Sequence, residues 1–289
     1  MPATHQEWKD YLTKADAKAA QTATRVSKML GTTLEPVNVN GVKCYWVRPK
    51  EIAEENIGKL LVHVHGGAYV QNSGLAATTE GSVLAATGKI LTLSIDYRMP
   101  PDHPYPAAPN DVLAVWKSHL NERKPENIVM GGTSAGGGLI MVTMLQCKQQ
   151  KLQMPAAIFL GTPGADISEA NDSLYTNAEI DHQLGRYAGR MIASIKLYAG
   201  DRNLKDPMLS PYYGDLSGFP PAILVTGTRD MLLSATVLTH RKLRRAGVEA
   251  DLHVFEGMSH ADYLVAFPAP EAVEAFQEIA QFFRKHLKK

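Results

Sequence analysis

The stretch Gly132-Thr133-Ser134-Ala135-Gly136 decides the fold predicted for this chain of 289 residues. It follows the apolar run at 127–130 and precedes the apolar run at 139–142, so it predicts a tight turn between a buried strand and a helix. Such a turn strains the serine backbone and admits only small neighbours, which accounts for the glycines two positions away on each side. The pattern predicts that Ser134 is a nucleophile. A glycine-rich turn without chemistry, or one that binds phosphate, is the alternative.

A second glycine turn, His65-Gly66-Gly67-Ala68, closes the strand pattern of residues 59–64. A tetrahedral intermediate of acyl transfer needs N–H donors aimed at its oxyanion, and glycine lets the backbone approach closely. We expect the donors to be the amides of Gly66, Gly67 and Ala135. An ordinary turn between a strand and a helix is the alternative, but the combination with the serine turn favours an oxyanion hole.

The remaining triad members are expected in the order acid, then histidine, after the serine. Asp230 comes just past a buried strand pattern, at the edge where open α/β sheets place their active sites. His260 lies between the last strand and the last helix, and none of the other nine histidines has this placement. We therefore predict Asp230 as the acid and His260 as the base. The rival carboxylates of Asp201, Asp206 and Asp251 follow no central strand.

Together, these motifs resemble the hormone-sensitive-lipase-type serine esterases, the bacterial branch of the α/β hydrolases. Three further stretches are similar to family signatures: residues 96–108, 206–211 and 216–221. Thr133 stands where the commonest family version has aspartate, which is typical of a GTSAG sub-branch. Ala261-Asp262 departs from the usual Gly-Phe. The resemblance covers roughly residues 35 to 285 and implies an α/β-hydrolase fold: a mostly parallel eight-stranded sheet flanked by helices, with a small helical cap.

The resemblance also implies a function. It predicts a serine carboxylesterase that hydrolyses short-chain acyl esters through an acyl-enzyme intermediate and needs no cofactor. An amidase or thioesterase would use the same triad. A non-catalytic small-molecule binding protein on this fold is a more distant alternative, because such proteins typically lose part of the triad. Tyr69, beside the oxyanion turn, and Thr133 are expected to contact the substrate, with a place in the core as the alternative for Tyr69.

Alternating strand and helix patterns run from about residue 35 without a break in composition, which favours one α/β domain over residues 1–289. The resemblance suggests that residues 1–32 and 171–200 form the cap over the active site, whereas ordinary packed or surface helices are the alternative. The second of these segments carries three tyrosines that suit a pocket wall: Tyr175, Tyr187 and Tyr198.

Finer elements follow from the same patterns. Asn40-Gly41 predicts the turn of an antiparallel hairpin formed by residues 33–39 and 42–48. Later strands are expected near residues 60–65, 90–95, 127–131, 156–160, 222–227 and 251–255. Helices are expected near residues 75–87, 108–122, 135–149, 185–198, 234–246 and 270–286.

Two polar sites are predicted to be structural. Asp96, Arg98 and Asp111 are expected to pair and to brace the floor of the oxyanion turn. Asp166 is expected at the surface or at a hinge of the cap, and not as a catalytic acid.

Charge and composition exclude several classes. A net charge of +1 gives no electrostatic attraction toward nucleic acid or a membrane surface. No segment approaches the length of an apolar membrane span. The N-terminus lacks the apolar core of a signal peptide, so we expect a cytoplasmic protein, although a peptide already removed would leave no trace. The expected partner is a small ester, and a homodimer is left open.

Metal binding is not expected. His63 and His65 lie two positions apart on one strand face, but no third ligand with metal-binding spacing accompanies them. Cys44 and Cys147 are predicted as buried free thiols, with a disulfide as the alternative.

Overall fold

The apolar runs of the sequence form one mixed sheet in the computed structural model, which describes residues 2–186 and 188–288. The strands found there are β1 (Thr33–Val39), β2 (Val42–Arg48), β3 (Leu60–Val64), β4 (Thr92–Asp96), β5 (Ile128–Thr133), β6 (Ala157–Gly161), β7 (Ala222–Gly227) and β8 (Ala250–Phe255). Their order across the sheet is β1-β2-β4-β3-β5-β6-β7-β8. The first two of these pairs are antiparallel and the others are parallel. The predicted eight-stranded, mostly parallel sheet is confirmed.

Helices connect the strands and cover both faces of the sheet. Over the described residues they are α1 (His5–Leu30), α2 (Thr79–Gly88), α3 (Ala107–Leu120), α4 (Ala135–Gln150), α5 (Ser173–Thr176), α6 (Arg190–Ala199), α7 (Leu233–Arg245), α8 (Asp262–Val265) and α9 (Pro270–His286). The core beneath α3, α4 and α7 is continuous on one face, and α2 and α9 pack on the other.

Strand β3 illustrates why the central strands are mostly apolar, since its one polar residue, His63, is buried against Glu80 and Ser94. Leu60, Val62 and Val64 are buried in the core on one face, and Leu61 is buried in the core on the opposite face. Because helices cover both faces, neither set of alternating side chains can be polar without a buried partner. The same argument explains the continuous apolar runs of β5, β6 and β7.

The opening hairpin forms as predicted. Asn40 and Gly41 both have positive φ values, 51° and 86°, which are those of a type I′ turn. The amide of Gly41 donates to Oδ1 of Asn38 at 2.8 Å, and Val39 pairs with Val42 in the antiparallel register. The other predicted strands begin and end within two residues of the observed ones.

Helix α1 begins with a reciprocal capping box. The amide of Glu7 donates to the Thr4 hydroxyl at 3.2 Å, and the amide of Thr4 donates to the Glu7 carboxylate at 3.1 Å. Trp8 and Leu12, on one face of the helix, are buried against Val70 in the segment that follows β3. This packing fixes α1 beside the carboxyl ends of the strands.

Two helices begin later than their patterns predict. Residues 74–78 form a 3₁₀ turn, and α2 follows only from Thr79. Helix α6 begins at Arg190 and not near residue 185, because Gly185 and Gly189 have φ values of 72° and 54°. Left-handed residues at these two positions interrupt a right-handed helix.

The strand order reverses next to β3, and this reversal locates the crevice of the fold. β4 hydrogen-bonds to one side of β3 and β5 to the other, so the two connections that leave β3 and β4 diverge at the carboxyl edge of the sheet. Open α/β sheets bind ligands at such a switch point. The histidine-glycine turn follows β3 and the serine turn follows β5, so both reach this edge.

Cys44 and Cys147 are free and buried, as predicted. Burial raises the pKa of each thiol to about 12, so both stay protonated. Among the helices described above, none has the length and apolar character needed to cross a bilayer.

Candidate active site

Ser134 occupies a strained turn between β5 and α4. Its φ of 60° and ψ of −122° lie outside the conformations that a residue with a side chain ordinarily adopts. Three backbone hydrogen bonds hold it there: its amide donates to Gly161 at 2.7 Å, and its carbonyl accepts from Gly138 at 3.1 Å and from Gly164 at 2.8 Å. The turn is therefore fixed by the end of β6 as well as by its own helix.

The serine turn packs directly on the backbone at the end of β3. A Cβ atom on Gly132 or on Gly136 would overlap the carbonyl oxygen of Val64. A Cβ atom on Gly66 would lie 2.8 Å from the carbonyl oxygen of Thr133. The two glycine-rich turns thus touch backbone to backbone, which explains why glycine is needed at these positions.

The turn after β3 presents backbone amides to the same crevice. Gly67 has a φ of 121°, and the Gly66 carbonyl accepts hydrogen bonds from His65 Nδ1 at 2.7 Å and from Asn72 Nδ2 at 3.1 Å. Within residues 2–186 and 188–288, no acceptor binds the amides of Gly66 or Gly67. Ala135 is the first residue of α4, and the first amides of a helix have no partner within it.

His65 supports this turn from behind. Its ring stacks on Tyr97 with centroids 4.1 Å apart, and the Tyr97 hydroxyl donates to the His65 carbonyl at 2.9 Å. Burial lowers the pKa of His65 to about 3, so the imidazole is neutral at ordinary pH. The His65 side chain therefore keeps the same charge across the pH range in which enzymes ordinarily work.

Asp230 and His260 meet at the ends of β7 and β8. Asp230 is fully buried, and His260 Nδ1 lies 3.1 Å from its Oδ1. The acid is held further by Thr226 Oγ1 at 3.0 Å, by the amide of Leu232 at 2.7 Å and by the hydroxyl of Thr162. Asp201, Asp206 and Asp251 make no such contact with His260.

The surroundings of His260 raise the pKa of its imidazole. Burial lowers the pKa of its imidazole, but the charge and hydrogen bond of Asp230, with the charges of Asp181 and Asp262, raise it above its ordinary value. The imidazole is thus a stronger base than an ordinary histidine side chain.

Ser134, His260 and the three amide-bearing residues Gly66, Gly67 and Ala135 all line one cavity of about 1130 Å³. Asp230 lies behind His260 and outside the cavity wall. Helix α1 contributes one side of the wall, and residues 183–195 contribute another. The structure therefore brings together every predicted catalytic and oxyanion residue.

Tyr69 and Thr133, predicted to contact the substrate, also line this cavity. Both are largely buried, and their hydroxyls are directed to protein partners. Tyr69 donates to the Gly164 carbonyl at 3.3 Å and stacks on Tyr198, while the Thr133 hydroxyl contacts the Tyr263 hydroxyl at 2.7 Å. Only a small part of the surface of each residue is therefore exposed to the cavity.

Glu80 is a buried residue of this region that the sequence analysis missed. Its carboxylate accepts from the amide of Thr133 at 3.2 Å, contacts the Thr133 hydroxyl and lies 3.0 Å from His63 Nε2. The second ring nitrogen of His63 contacts Ser94 at 3.0 Å. A glutamate within the apolar pattern of α2 is the signal that could have identified it. His63 and His65 thus have separate protein partners, and no metal-binding group of three such residues occurs in the described chain.

Two predictions about polar residues need correction. Arg98 pairs with Asp111 at 2.7 Å, but Asp96 binds the amide of Gly74 instead, at 3.0 Å. Asp166 is not at the surface: it is buried in the cavity wall, where Ser168 and Tyr213 donate to it.

Two of the three tyrosines of residues 171–200, Tyr175 and Tyr198, do not form the cavity wall as predicted. Tyr175 is 61% exposed and donates to the Glu169 carbonyl, whereas Tyr198 is buried behind Tyr69. Tyr187 lies outside the described residues. The wall is formed instead by other side chains of this segment, including Gln183, Leu184, Met191 and Ile195.

Comparison with known proteins decides the family. A family model described as the alpha/beta hydrolase fold matches residues 61–264, more than half of the chain. The chain belongs to the α/β-hydrolase fold family. This α/β hydrolase is 29% identical over 292 residues to an esterase of Acinetobacter venetianus, an alignment that covers 95% of this chain and 96% of the relative.

Solved structures agree with this assignment. A crystal structure of an esterase superposes on the α/β hydrolase with a TM-score of 0.97 at 48% identity, covering 99% of this chain and 88% of that one. A hormone-sensitive lipase from a metagenome library gives a TM-score of 0.85 at 27% identity, covering 97% of each chain. The predicted fold and the predicted kinship with hormone-sensitive-lipase-type esterases are confirmed.

Proposed function

We propose that this α/β hydrolase is a serine carboxylesterase in which Ser134 is the nucleophile, His260 the general base and Asp230 the orienting acid. The observation that carries the proposal is the pairing of His260 with buried Asp230, beside a cavity that Ser134 also lines. The relatives that align with nearly the whole chain are named as esterases. The prediction of ester hydrolysis is thereby confirmed.

The proposed reaction begins when Ser134 Oγ attacks the ester carbonyl and its proton passes to Nε2 of His260. A C–O bond forms, and the carbonyl oxygen becomes an oxyanion. The amides of Gly66, Gly67 and Ala135 donate to that oxygen, and each such donor is typically worth about 2.7–4 kcal/mol in the transition state. The tetrahedral intermediate then collapses and breaks the bond to the alcohol oxygen.

The leaving alcohol takes the proton from His260 Nε2 and departs, which leaves the acyl group on Ser134. Water then repeats the cycle: His260 removes its proton, the hydroxyl adds to the acyl carbon, and the proton returns to Ser134 Oγ as the acid is released. Asp230 accepts the Nδ1–H of His260 in every step, so Nε2 is the nitrogen free to exchange protons. It also stabilises the imidazolium that forms twice in each turnover.

The acid side of the pH profile follows from His260. Only the neutral imidazole can accept the serine proton, and its pKa is raised above the ordinary value of about 6.5. We expect kcat/KM for p-nitrophenyl acetate to fall as the pH decreases through that raised pKa, with the slope of a single ionisation. Circular dichroism at each pH separates this loss from unfolding. A folded protein with no acid limb down to pH 4 would remove His260 from the mechanism.

The cap predicted for residues 1–32 and 171–200 forms part of this proposal. Its support is the share of the cavity wall that α1 and residues 183–195 contribute opposite the two glycine turns. On α1 the wall includes Ala19, Val26 and Met29, which lie on one face of the helix. We propose that these two segments enclose the ester while the sheet edge supplies the chemistry.

We further propose that the preferred acyl group is short. Polar side chains, among them Thr22, Thr79 and Gln183, interrupt the apolar parts of the cavity wall. Each CH₂ of an acyl chain contributes about 0.8 kcal/mol only where it lies against apolar surface. A long chain therefore gains less from each added carbon than it would in a continuous apolar tunnel.

A series of p-nitrophenyl esters with increasing acyl length tests this proposal, because the leaving group stays constant. We expect kcat/KM to be highest for acetyl to butyryl esters and to fall steeply beyond about six to eight acyl carbons, given typical pocket dimensions. The Ser134→Ala variant gives the background rate for each ester. Rapid hydrolysis of emulsified long-chain triglyceride would contradict the short-chain assignment.

The proposed substrate is a small ester bound in this cavity. A cytoplasmic location and a homodimer remain predictions.

A further inference from the structure

A buried carboxylate outside the sheet contacts both loops that carry the proposed acid and base. Asp181, between α5 and α6, is fully buried. Its Oδ2 accepts from the amide of Met231 at 2.9 Å, and its Oδ1 accepts from the amide of His260 at 3.4 Å. Met231 directly follows Asp230. One side chain therefore joins the backbone of the acid loop to the backbone of the base itself.

The other partners of this carboxylate belong to its own segment. Oδ1 also accepts from the amides of Gln183 at 3.0 Å and Leu184 at 3.1 Å. All four groups that hydrogen-bond to the Asp181 carboxylate in the described chain are N–H donors. An ionised carboxylate, which only accepts, fits this site, whereas a protonated carboxyl would bring an additional O–H donor among them. Hydrogen bonds from N–H groups offset the free-energy cost of removing a buried charge from water.

Neighbouring side chains reinforce the same connection. Asn177 Nδ2 donates to the carbonyl of Asp230 at 2.8 Å and to that of Thr228 at 3.2 Å. On the other loop, the amide of His182 donates to the Ser259 hydroxyl at 3.3 Å. The segment that follows α5 is thus tied to the residues beside the acid and beside the base.

We propose that Asp181 is a positioning residue for the triad, which holds the acid loop and the base loop at the separation that the Asp230–His260 hydrogen bond requires. The inference rests on the proposed function, because it assigns a role in the reaction of the same site. Asp181 touches neither the cavity nor the reacting atoms, so it acts through the two loops and through its fixed charge.

The charge of Asp181 gives this role a measurable signature. The carboxylates near His260 are Asp230, Asp181 and Asp262, and all three raise its pKa against the effect of burial. His182 is the other titratable group nearby, since its ring contacts Ser259 at 2.7 Å and Asp262 at 3.1 Å. Removal of the Asp181 charge should let His260 lose its proton at a lower pH.

The decisive variant is Asp181→Asn, which keeps the shape of the side chain but removes its charge. One end of the carboxamide becomes an N–H donor that faces the backbone donors of residues 183, 184, 231 or 260. We expect kcat for p-nitrophenyl acetate to fall about tenfold or more, because small displacements of a catalytic group are costly, while KM changes by less than about twofold. We also expect the acid limb of the kcat profile to move to lower pH.

A second variant, Asp181→Glu, separates geometry from charge. It retains the carboxylate but places it one methylene farther from the backbone. We expect kcat to fall while the acid limb stays close to that of the wild type. The matched control is Asp172→Asn, an exposed residue directly before α5 whose carboxylate makes no hydrogen bond with either loop. That variant should retain the wild-type kcat and pH profile.

Thermal unfolding of each variant distinguishes positioning from a role in folding alone. A residue needed only for folding would lower the melting temperature and leave both kcat and the acid limb unchanged. That result, in a folded Asp181→Asn protein, overturns the proposal. If Asp181→Asn does not fold, Asp181→Glu decides, and a wild-type kcat in that variant overturns the proposal as well.

Failure of this inference is distinguishable from failure of the proposed function. Ester hydrolysis that persists in Ser134→Ala refutes the function, whatever Asp181 does. Hydrolysis that is lost in Ser134→Ala but unchanged in both folded Asp181 variants leaves the function intact and refutes only the positioning role.

Discussion

Replacement of Ser134 by alanine is expected to lower kcat for p-nitrophenyl butyrate by roughly 10⁶-fold, the loss typical of removing the nucleophile from a serine hydrolase. The reason is that Ser134 is held in a strained turn and lines the same cavity as His260 and the residues that carry the proposed oxyanion donors. The alanine side chain fits the same strained turn, so the fold and the substrate affinity should be retained. An organophosphate should add one covalent adduct to the wild type, mapped to Ser134 by mass spectrometry.

The control for this experiment is Ser118→Ala on α3, a serine that does not line the cavity. It should keep full activity and still react with the organophosphate at Ser134. An adduct on a different serine, or wild-type turnover by the Ser134→Ala protein, would show that the nucleophile has been misassigned.

Replacement of Asp230 by asparagine is expected to lower kcat by about 10⁴-fold with little change in KM. The carboxylate is fully buried, and the Thr162 and Thr226 hydroxyls and the Leu232 amide all donate to it. In the variant, an amide group would compete with these donors, and the Nδ1–H of His260 would lose its charged acceptor. The imidazole would then favour the tautomer with the proton on Nε2, which cannot accept one from serine.

Asp251→Asn and Asp201→Asn are the matched controls, since both residues were rival acids in the sequence. Each should retain kcat within about twofold, because neither contacts His260. Calorimetric unfolding of Asp230→Asn is needed in parallel, since a buried carboxylate with several donors also contributes to stability. A loss of activity in Asp251→Asn or Asp201→Asn comparable to that expected for Asp230→Asn would reassign the acid.

The sheet was predictable because its central strands are apolar on both faces, and a continuous apolar run bounded by glycines has few alternatives. The positions of Ser134 and Asp230 followed for the same reason, since each comes just after such a run, whereas His260 was predicted from its place between the last strand and the last helix. The glycines at 66, 132 and 136 are needed where the backbones of the two turns touch, so the sequence also indicates this contact.

Other features depend on contacts that no local pattern contains. Asp181 lies in an irregular segment, and its partners are amides about 50 and 79 positions away along the chain. The absence of Tyr175 and Tyr198 from the cavity wall had a similar cause, because composition alone does not say which aromatic ring faces the cavity. The delayed start of α6 could have been anticipated from Gly185 and Gly189, since glycine often ends or interrupts a helix.

The ties made by Asn177 and Asp181 limit how this enzyme could diverge or be redesigned. Residues 183–195 line the cavity that we propose holds the substrate, and Asn177 and Asp181 contact the loops of the proposed acid and base. A graft of residues 171–200 from another esterase would therefore change selectivity and turnover together, unless both anchoring side chains were retained. Helix α1 is different, because its side chains bind Asn72, Asp102 and Arg190 and, over the described residues, none on the loops of Asp230 or His260. We therefore expect exchanges on α1 to change selectivity with less effect on kcat than exchanges in residues 171–200.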